Sequence, residues 1–524
     1  MTSRAQIQKI QKIRPEKIRP ARKRSSFTWL IPTQLAAIIT ALGAATGENL
    51  LRMVLLGGML STMLEPLMVS LEAGLLAIMI FEPFRGFLRR AQYILVPYSQ
   101  TEPIHLLVPI ATLCAFTIVL FRHKLETIRL TPLAGWTTAL AAICFVQIFN
   151  PLQGGFFIGF TGALFYLVPM AWFYFGQSVK EEFVPKLLRV IVVLGLITSL
   201  YGVYQLIFGY PFFEKYWIDN TDLYSSIAVD KIQRALATFN NSEEWGRYIQ
   251  IGCTIAIGLG MSRAEKNKRI LWFAAAALLF VMIAFTGQRT SIFGVILSGA
   301  ILFLTGAKSL PNAVARLMLM LAPVVLIIAL SKSMSDDAGA DLDENDRVGT
   351  MLNHTTKGTV NPTGEGSLGA RFDTWTNVIT HDLPSNPVGT GLGSTTLAAS
   401  RERIDDDVPI DNHFLSLAIS AGVPAALLLI FILVRATVFC FRGWRRSEPG
   451  TSEENLWRIM LALMAAFILN NFFGTSFTIY SVAPIGWLLV GYISAAYGKQ
   501  SAAVESRAAV EENSEWLNAE RFSY

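Results

Sequence analysis

The chain has 524 residues, of which 52% are hydrophobic and only 16% are charged, and its formal net charge is +6. Soluble domains have about a quarter of charged residues, and the recurring apolar runs of roughly 18 residues or more can cross a bilayer. The composition therefore excludes a large soluble core and predicts an all-α polytopic membrane protein. The positive charge does not indicate nucleic-acid binding, because the basic residues lie mainly in short loops and in the N-terminal tail.

The apolar runs follow a strongly basic segment, residues 1–25, which we expect to be a cytoplasmic tail that contacts anionic membrane lipid. The second and third runs are short and adjoin at Glu65-Pro66, so one broken hairpin is an alternative to two spans. We expect about 12–14 transmembrane helices within residues 26–497. The candidate spans lie at about 27–45, 49–63, 65–82, 103–121, 132–150, 156–175, 186–208, 245–262, 269–286, 290–307, 312–333, 412–437, 456–473 and 477–496.

Basic residues concentrate in alternate loops from residue 103 onward, and the positive-inside rule places those loops in the cytoplasm. Both termini are then cytoplasmic, including a C-terminal tail at 498–524. Arg85, Arg89 and Arg90 fall on the opposite side, where we expect an interfacial amphipathic helix. The cytoplasmic clusters comprise Arg122, Lys124, Arg129, Lys180, Lys186, Arg189, Arg263, Lys266, Lys268, Arg269, Lys308, Arg316, Arg442, Arg445 and Arg446.

Two long polar segments face the outside in this topology, at about 209–244 and about 334–410, and the second is far longer than a helix connection requires. Arg234, Arg289 and Arg371 all lie at this outer side. Arg289 has apolar residues on both flanks, so its charge is costly there unless it snorkels or meets an anion. Because a planar guanidinium suits bidentate contact with phosphate, the three arginines are candidate anion-binding residues. An interfacial arginine in a hairpin turn is the alternative for Arg289.

Glycines punctuate the end of the long outer segment, in NPVGTGLGST. Gly389, Gly391 and Gly393 have no strand-to-helix context, so they do not indicate a dinucleotide-binding fold. They predict either a tight turn that approaches a ligand or a flexible hinge.

Three polar residues, Asp411, Asn412 and His413, open the next predicted helix. Asp or Asn at this position is a common N-cap. Asp411 and His413 are also candidates for a general base near a substrate, with Asn412 in a supporting role.

Four stretches together resemble the O-antigen ligase and polymerase superfamily of bacterial envelope glycosyltransferases. They are RALATFNNSEEWGRYI, TGQRTSIFGVILSGAILFL, RFDTWTNVITHDLPSNPVGTGLGSTT and DNHFLSLAISAGVPAALLL, and they occur in the family's order and topology. The resemblance covers roughly residues 185–475.

The resemblance implies a glycosyltransferase C-type arrangement of transmembrane helices. It also implies transfer of a glycan from undecaprenyl pyrophosphate to an acceptor hydroxyl at the periplasmic face of the bacterial inner membrane, with inversion and without a metal, a nucleotide or another cofactor. By motif position, Arg289 and Arg371 would bind the pyrophosphate with help from Arg234, and Asp411 or His413 would be, or would position, the base. Polysaccharide assembly and export proteins are the expected partners.

One departure from the family pattern bears on the reaction. Ligases of the family usually show His-Asn, one further residue, an aromatic residue and Leu, whereas this chain reads Asp411-Asn412-His413-Phe414-Leu415. Asp411 takes the position of the ligase histidine, and a helix would turn the side chains of Asp411 and His413 about 200° apart. The pattern looks more like a polymerase of exopolysaccharide or O-antigen repeat units. A ligase that transfers the glycan to lipid A core or another acceptor is the alternative.

Two hypotheses from other classes also fit a polytopic membrane protein. A secondary transporter predicts inverted repeats and ionisable groups at the bilayer midplane, for which Glu65 and Glu72 are the main candidates. The charged residues of this chain cluster at the outer ends of the spans instead. A structural or assembly membrane protein without chemistry is the third hypothesis.

Overall fold

The computed structural model describes residues 49–99, 102–123, 131–221, 228–229, 232–307, 367–396 and 410–521, together with single positions between 309 and 318. The basic tail, the predicted span at 27–45 and most of the span at 312–333 lie outside the described residues. Large parts of the predicted outer segment at 334–410 also lie outside them.

Helices make up nearly all the regular structure of the described residues. The exception is a short antiparallel ladder in which β1, Ala228–Val229, pairs with β2, Ile232–Gln233. Apart from short turns, the helices are α1 Leu50–Leu64, α2 Leu71–Phe81, α3 Arg85–Ala91, α4 Leu107–His123, α5 Ala134–Gln147, α6 Phe156–Tyr166, α7 Ala171–Ser178, α8 Phe183–Phe208, α9 Phe212–Asn220, α10 Ser242–Met261, α11 Arg269–Phe285, α12 Arg289–Gly306, α13 Ser367–Asn377, α14 His413–Ala421, α15 Val423–Arg446, α16 Ser452–Phe472 and α17 Ala483–Arg521.

Eight helical segments within the described ranges are long and apolar enough to cross a membrane. This confirms the predicted all-α polytopic membrane fold. The first of them continues through Glu65-Pro66, and α2 follows as a separate helix of 11 residues. The eight segments are Leu50–Met68, Pro103–Phe121, Phe156–Ser178, Phe183–Phe208, Lys266–Phe285, Arg289–Gly306, Val423–Arg446 and Ser452–Phe472.

The single span predicted at 412–437 is wrong, because the chain breaks at Gly422. Helix α14 ends at Ala421 and α15 begins at Val423, with Gly422 at φ 91°. Any other residue would be strained at this φ, and its Cβ would lie 2.5 Å from the carbonyl oxygen of Val388. A short helix therefore precedes the membrane-crossing helix instead of continuing into it.

Helix α10 lies at the centre of the described bundle, where it packs against α8, α11, α12 and α16. Nearly all of its 20 residues are buried. Asn241 caps the helix, since its side-chain oxygen accepts a hydrogen bond from the Glu244 N–H at 2.8 Å. Because protein surrounds this helix, its polar side chains avoid lipid and can serve a site inside the bundle. Helices α10, α12 and α14 begin at one end of the bundle, and α16 ends there. We call this end of the bundle the site end.

A layer of buried ion pairs covers part of the site end. We call it the arginine layer and define it as α3, α9 and residues 234–241. The Arg90 guanidinium binds Glu214 at 2.7 Å and the carbonyl oxygens of Ala237 and Phe239 at 2.6 Å each. Both charged side chains of the pair are fully buried.

The other two arginines of α3 are also buried beside acids. Arg85 binds Glu82 at 2.9 Å and lies 3.7 Å from Glu244. Arg89 donates from Nε to Glu102 at 2.6 Å. The interfacial helix predicted for the three arginines is therefore wrong, because they pair with carboxylates inside the protein, which offsets their desolvation.

Candidate functional site

Arg234 and Arg289 are brought together at the site end, although they are far apart in sequence. Helix α10 packs on the turn before α12 so closely that a Cβ at Gly246 would lie 3.0 Å from the Gln288 side chain. This places Arg289, the first residue of α12, beside the start of α10. Burial and the charge of Arg289 lower the pKa of Arg234, and Glu243 opposes this shift.

The arrangement of these arginines suits an anion. The Nε atom of Arg234 is buried and has no hydrogen-bond partner among the described residues. The two guanidinium groups repel each other, and the Nε donor of Arg234 is unused. Binding of a multivalent anion between them would relieve this repulsion and lower the free energy. The anion-binding role expected for Arg234 and Arg289 stays a prediction.

Arg371 pairs with Asp411 at the same end of the bundle. Its Nε and Nη2 atoms donate to Asp411 Oδ2 at 3.0 and 2.8 Å. Helix α13, which carries Arg371, is anchored by the buried Trp375, whose ring lies 5.3 Å from the Phe472 ring at the end of α16. The Asp411 side chain is 46% exposed, so the pair is accessible from solvent.

Asn412 and His413 play local structural roles at the start of α14. The Asn412 side chain caps the helix by accepting hydrogen bonds from the N–H groups of Phe414 and Leu415 at 3.0 and 3.1 Å. The His413 side chain is buried, and its ring stacks on Tyr166 with 5.7 Å between the ring centroids. Its Nδ1 atom has no hydrogen-bond partner in the described part of the chain. The Asp411 side chain is thus partly exposed to solvent, whereas the His413 side chain is buried.

The glycine segment, which we define as residues 387–396, packs between α5, α6 and α14. Gly389 and Gly391 have φ values of 102° and 113°, which other residues rarely adopt. The Gly391 N–H donates to the Ser420 carbonyl at 3.1 Å, and the Gly393 N–H donates to Gln153 Oε1 at 3.2 Å. The Gly389 N–H donates to the Asn386 carbonyl at 3.0 Å, so the segment contains the tight turn expected from its sequence. The three glycines approach protein atoms, and the approach of this turn to a ligand stays a prediction.

Two residues that the sequence analysis did not select lie beside His413. Arg247 on α10 is 3% exposed and bonds to Glu243 and to Ser476, which follows α16. Tyr166 on α6 donates or accepts a hydrogen bond with Ser416 on α14 at 2.7 Å. The four-residue spacing of Glu243 and Arg247 on one helix is a sequence signal for Arg247, whereas no sequence pattern indicates Tyr166.

Contacts connect several of these residues. Glu243 binds Arg247, the Arg247 guanidinium lies against Gly474, and the Gly474 carbonyl oxygen accepts a hydrogen bond from the His413 N–H at 2.9 Å. Asp411, paired with Arg371, is two residues from His413. These residues therefore lie along a connected path at the site end.

Comparison with known proteins supports the resemblance found in the sequence. Residues 274–430 match the family model described as O-antigen ligase. The matched range contains Arg289, Arg371, Asp411 and the glycine segment, whereas Arg234 precedes it. The match confirms the similarity to the O-antigen ligase and polymerase superfamily over this part of the chain. No curated protein matches the sequence.

Proposed function

We propose that the chain transfers a glycan from undecaprenyl pyrophosphate to an acceptor hydroxyl, with inversion and most readily as a polymerase of exopolysaccharide or O-antigen repeat units. The family match implies glycosyl transfer of the O-antigen ligase or polymerase type. The location of Arg289 beside the start of α10, at the same end of the bundle as the buried Nε of Arg234, is the observation that carries the proposal, because two cations there suit the anionic group of a lipid-linked donor.

In this proposal, the arginines stabilise the leaving group electrostatically. Arg234 and Arg289 hold the pyrophosphate and neutralise the charge that develops on it when the bond to the sugar breaks. Fixed cations in a site that excludes water stabilise such charge more than water does. The chain's own guanidinium groups could therefore activate the leaving group.

The Arg371–Asp411 pair supplies the second part of the reaction. Its ion pair is partly exposed, and such pairs contribute little free energy, so a pyrophosphate can compete for Arg371. Asp411 then takes the proton of the acceptor hydroxyl while the hydroxyl oxygen attacks the anomeric carbon. The bond from that carbon to the pyrophosphate oxygen breaks on the opposite face, and undecaprenyl pyrophosphate leaves.

Asp411 fits the role of base better than His413. Its carboxylate is accessible, whereas the His413 ring is buried between aromatic side chains. A general base must reach the proton that it removes, either directly or through one water molecule. His413 is better suited to holding the start of α14.

The orientation follows from the same proposal. We place the site end at the periplasmic face of the inner membrane and both termini in the cytoplasm, as the positive-inside rule predicts. Exposed basic residues at the end of α15, Arg445 and Arg446, agree with a cytoplasmic position for that end. Long glycans made at the site end would pass to polysaccharide assembly and export proteins.

The test is to incubate the purified chain with lipid-linked oligosaccharides extracted from cells that lack it. A polymerase converts them into a ladder of longer lipid-linked glycans. Transfer of the glycan to lipid A core or another added acceptor would instead favour the ligase alternative, which the description of the matched family also supports. The absence of any transferred glycan would contradict the proposed function.

A further inference from the structure

The Arg247 guanidinium donates hydrogen bonds to three other groups of the protein. Its Nη1 atom donates to the Asn470 carbonyl oxygen at 3.2 Å and to the Ser476 hydroxyl, and its Nη2 atom donates to the Glu243 carboxylate. One guanidinium thereby joins α10, the end of α16 and the chain that follows α16. Arg234 differs, since its Nε atom has no partner among the described residues.

The chain that follows α16 connects Arg247 to His413. We call residues 473–482 the α16–α17 turn. Gly474 in this turn lies so close to the Arg247 guanidinium that a Cβ would collide with it. The carbonyl oxygen of Gly474 accepts a hydrogen bond from the His413 N–H at 2.9 Å.

A second contact holds His413 from the same turn. The Phe477 ring lies 6.1 Å from the His413 ring, on which Tyr166 stacks. The Phe477 N–H donates to Asn471 Oδ1 at 3.2 Å, which fixes the turn on α16. Both the backbone and the ring of His413 are thus held by a turn that Arg247 ties to α10.

We propose that Arg247 is a positioning residue, which fixes the α16–α17 turn and, through His413, aims the Asp411 carboxylate at the acceptor hydroxyl. The inference rests on the proposed function, because it assigns Arg247 to the same reaction. Arginine suits this role because its planar group offers several fixed donors, whereas a lysine would serve fewer acceptors at once. Displacement of a reacting group by about 1 Å can lower a rate about 10²-fold, so a remote contact of this kind has a large effect.

The first test compares Arg247 with a matched buried arginine. Arg458 on α16 is also buried, and its Nη2 atom donates to the Leu302 carbonyl at 2.7 Å, away from the site end. We expect Arg247→Ala to lower kcat about 10²-fold with little change in KM for the extracted lipid-linked oligosaccharide. Arg247→Lys should restore part of kcat, and Arg458→Ala should leave kcat within about threefold when the folded fraction is matched. An equal loss of kcat in the Arg247 and Arg458 variants, or a rise in KM alone, would overturn the inference.

The second test is a double-mutant cycle with Asp411. If Arg247 acts through Asp411, Arg247→Ala should cause no further loss of kcat in the Asp411→Asn background. Losses that multiply in the double variant would show that Arg247 acts independently and would refute the positioning role. A wild-type chain that transfers no glycan at all would refute the proposed function itself, which separates the two failures.

Discussion

Asp411 and His413 are two residues apart, yet their surroundings give them different capabilities. The Asp411 carboxylate is paired with Arg371 and reaches solvent, whereas the His413 ring is enclosed by Tyr166 and Phe477. A buried ring can hold a helix in place, but it cannot readily collect a proton from a large acceptor. In the proposed reaction, packing therefore selects Asp411 over His413 as the residue that can reach the acceptor.

The contrast predicts a ranking of two substitutions. Asp411→Asn should lower kcat about 10²–10⁴-fold while the folded fraction stays near that of the wild type, because only the proton acceptor is lost. His413→Ala should lower the thermal midpoint, because it leaves a cavity beside Tyr166, and it should reduce kcat less. Initial rates of glycan extension and thermal unfolding in detergent measure both effects. The opposite ranking of rates would restore His413 as the base.

The location of Arg289 beside Arg234 predicts that substitution of Arg289 abolishes activity while the protein still inserts into the membrane. Arg289→Ala should abolish polymer formation, because the pyrophosphate loses a cation that stabilises it as a leaving group. Arg445→Ala provides the matched control, because this arginine is exposed at the other end of a helix. Glycan ladders and membrane content of the protein are the measurements. Polymer of normal length and yield in Arg289→Ala would exclude the pyrophosphate role.

At the scale of elements, the break between α14 and α15 depends on the glycine segment. Gly389 and Gly422 face each other, since a Cβ on Gly389 would lie 2.6 Å from the Gly422 nitrogen. The carbonyl oxygen of Gly389 accepts a hydrogen bond from Asn150 at 3.0 Å, which ties the segment to the chain after α5. The non-helical backbone of the segment is stabilised because other protein groups satisfy its hydrogen bonds.

The close approach of Gly389 to the backbone at Gly422 predicts that a methyl group at position 389 lowers the stability of the protein. Gly389→Ala should destabilise the protein by about 1–3 kcal/mol, because its φ is unfavourable for alanine and the Cβ meets backbone atoms. Gly58→Ala is the control, because a Cβ in that helix meets no atom within 4 Å. The control should leave stability unchanged or raise it by up to about 1 kcal/mol. Thermal midpoints in detergent distinguish the two, and equal midpoints would contradict the packing argument.

Apolar length predicted most membrane-crossing helices, because bilayer thickness sets a minimum run of apolar residues. It failed at 412–437, where a mainly apolar run is divided at Gly422, whose close approach to the backbone of Val388 the sequence does not show. The sequence also predicted Arg234, Arg289 and Arg371 as anion-binding candidates, a role that stays a prediction. Arg247 escaped notice because it resembles any helical arginine until its tertiary partners are known.

At the scale of the whole molecule, the arginine layer joins segments that are far apart in sequence. Arg90 on α3 binds Glu214 on α9, and Gln205 near the end of α8 donates to the same carboxylate at 2.8 Å. The Gln205 side-chain oxygen in turn accepts from the N–H of Ala237 at 2.7 Å. The layer therefore holds the residues that follow Arg234 and supports the part of the candidate site that contains this arginine.

The buried pair predicts a large loss of stability when one charge is removed. Glu214→Gln should destabilise the protein by about 3–5 kcal/mol, because Arg90 would be left buried without a counter-charge. Glu181→Gln provides the control, because Glu181 pairs with Lys499 at an exposed site and should have no measurable effect. Chemical or thermal unfolding of the two variants measures the difference. Equal stability would show that the pair contributes little.

The arginine layer also has a consequence for the order in which the protein is made. Arg90 is synthesised well before its partners, which lie 124, 147 and 149 residues later in the chain. Its charge cannot be neutralised by Glu214 until the ribosome has completed α9, and its two carbonyl partners follow in the residues just before α10. Burial of Arg90 beside its counter-charge, and with it the completion of the site end, is therefore a late step in folding.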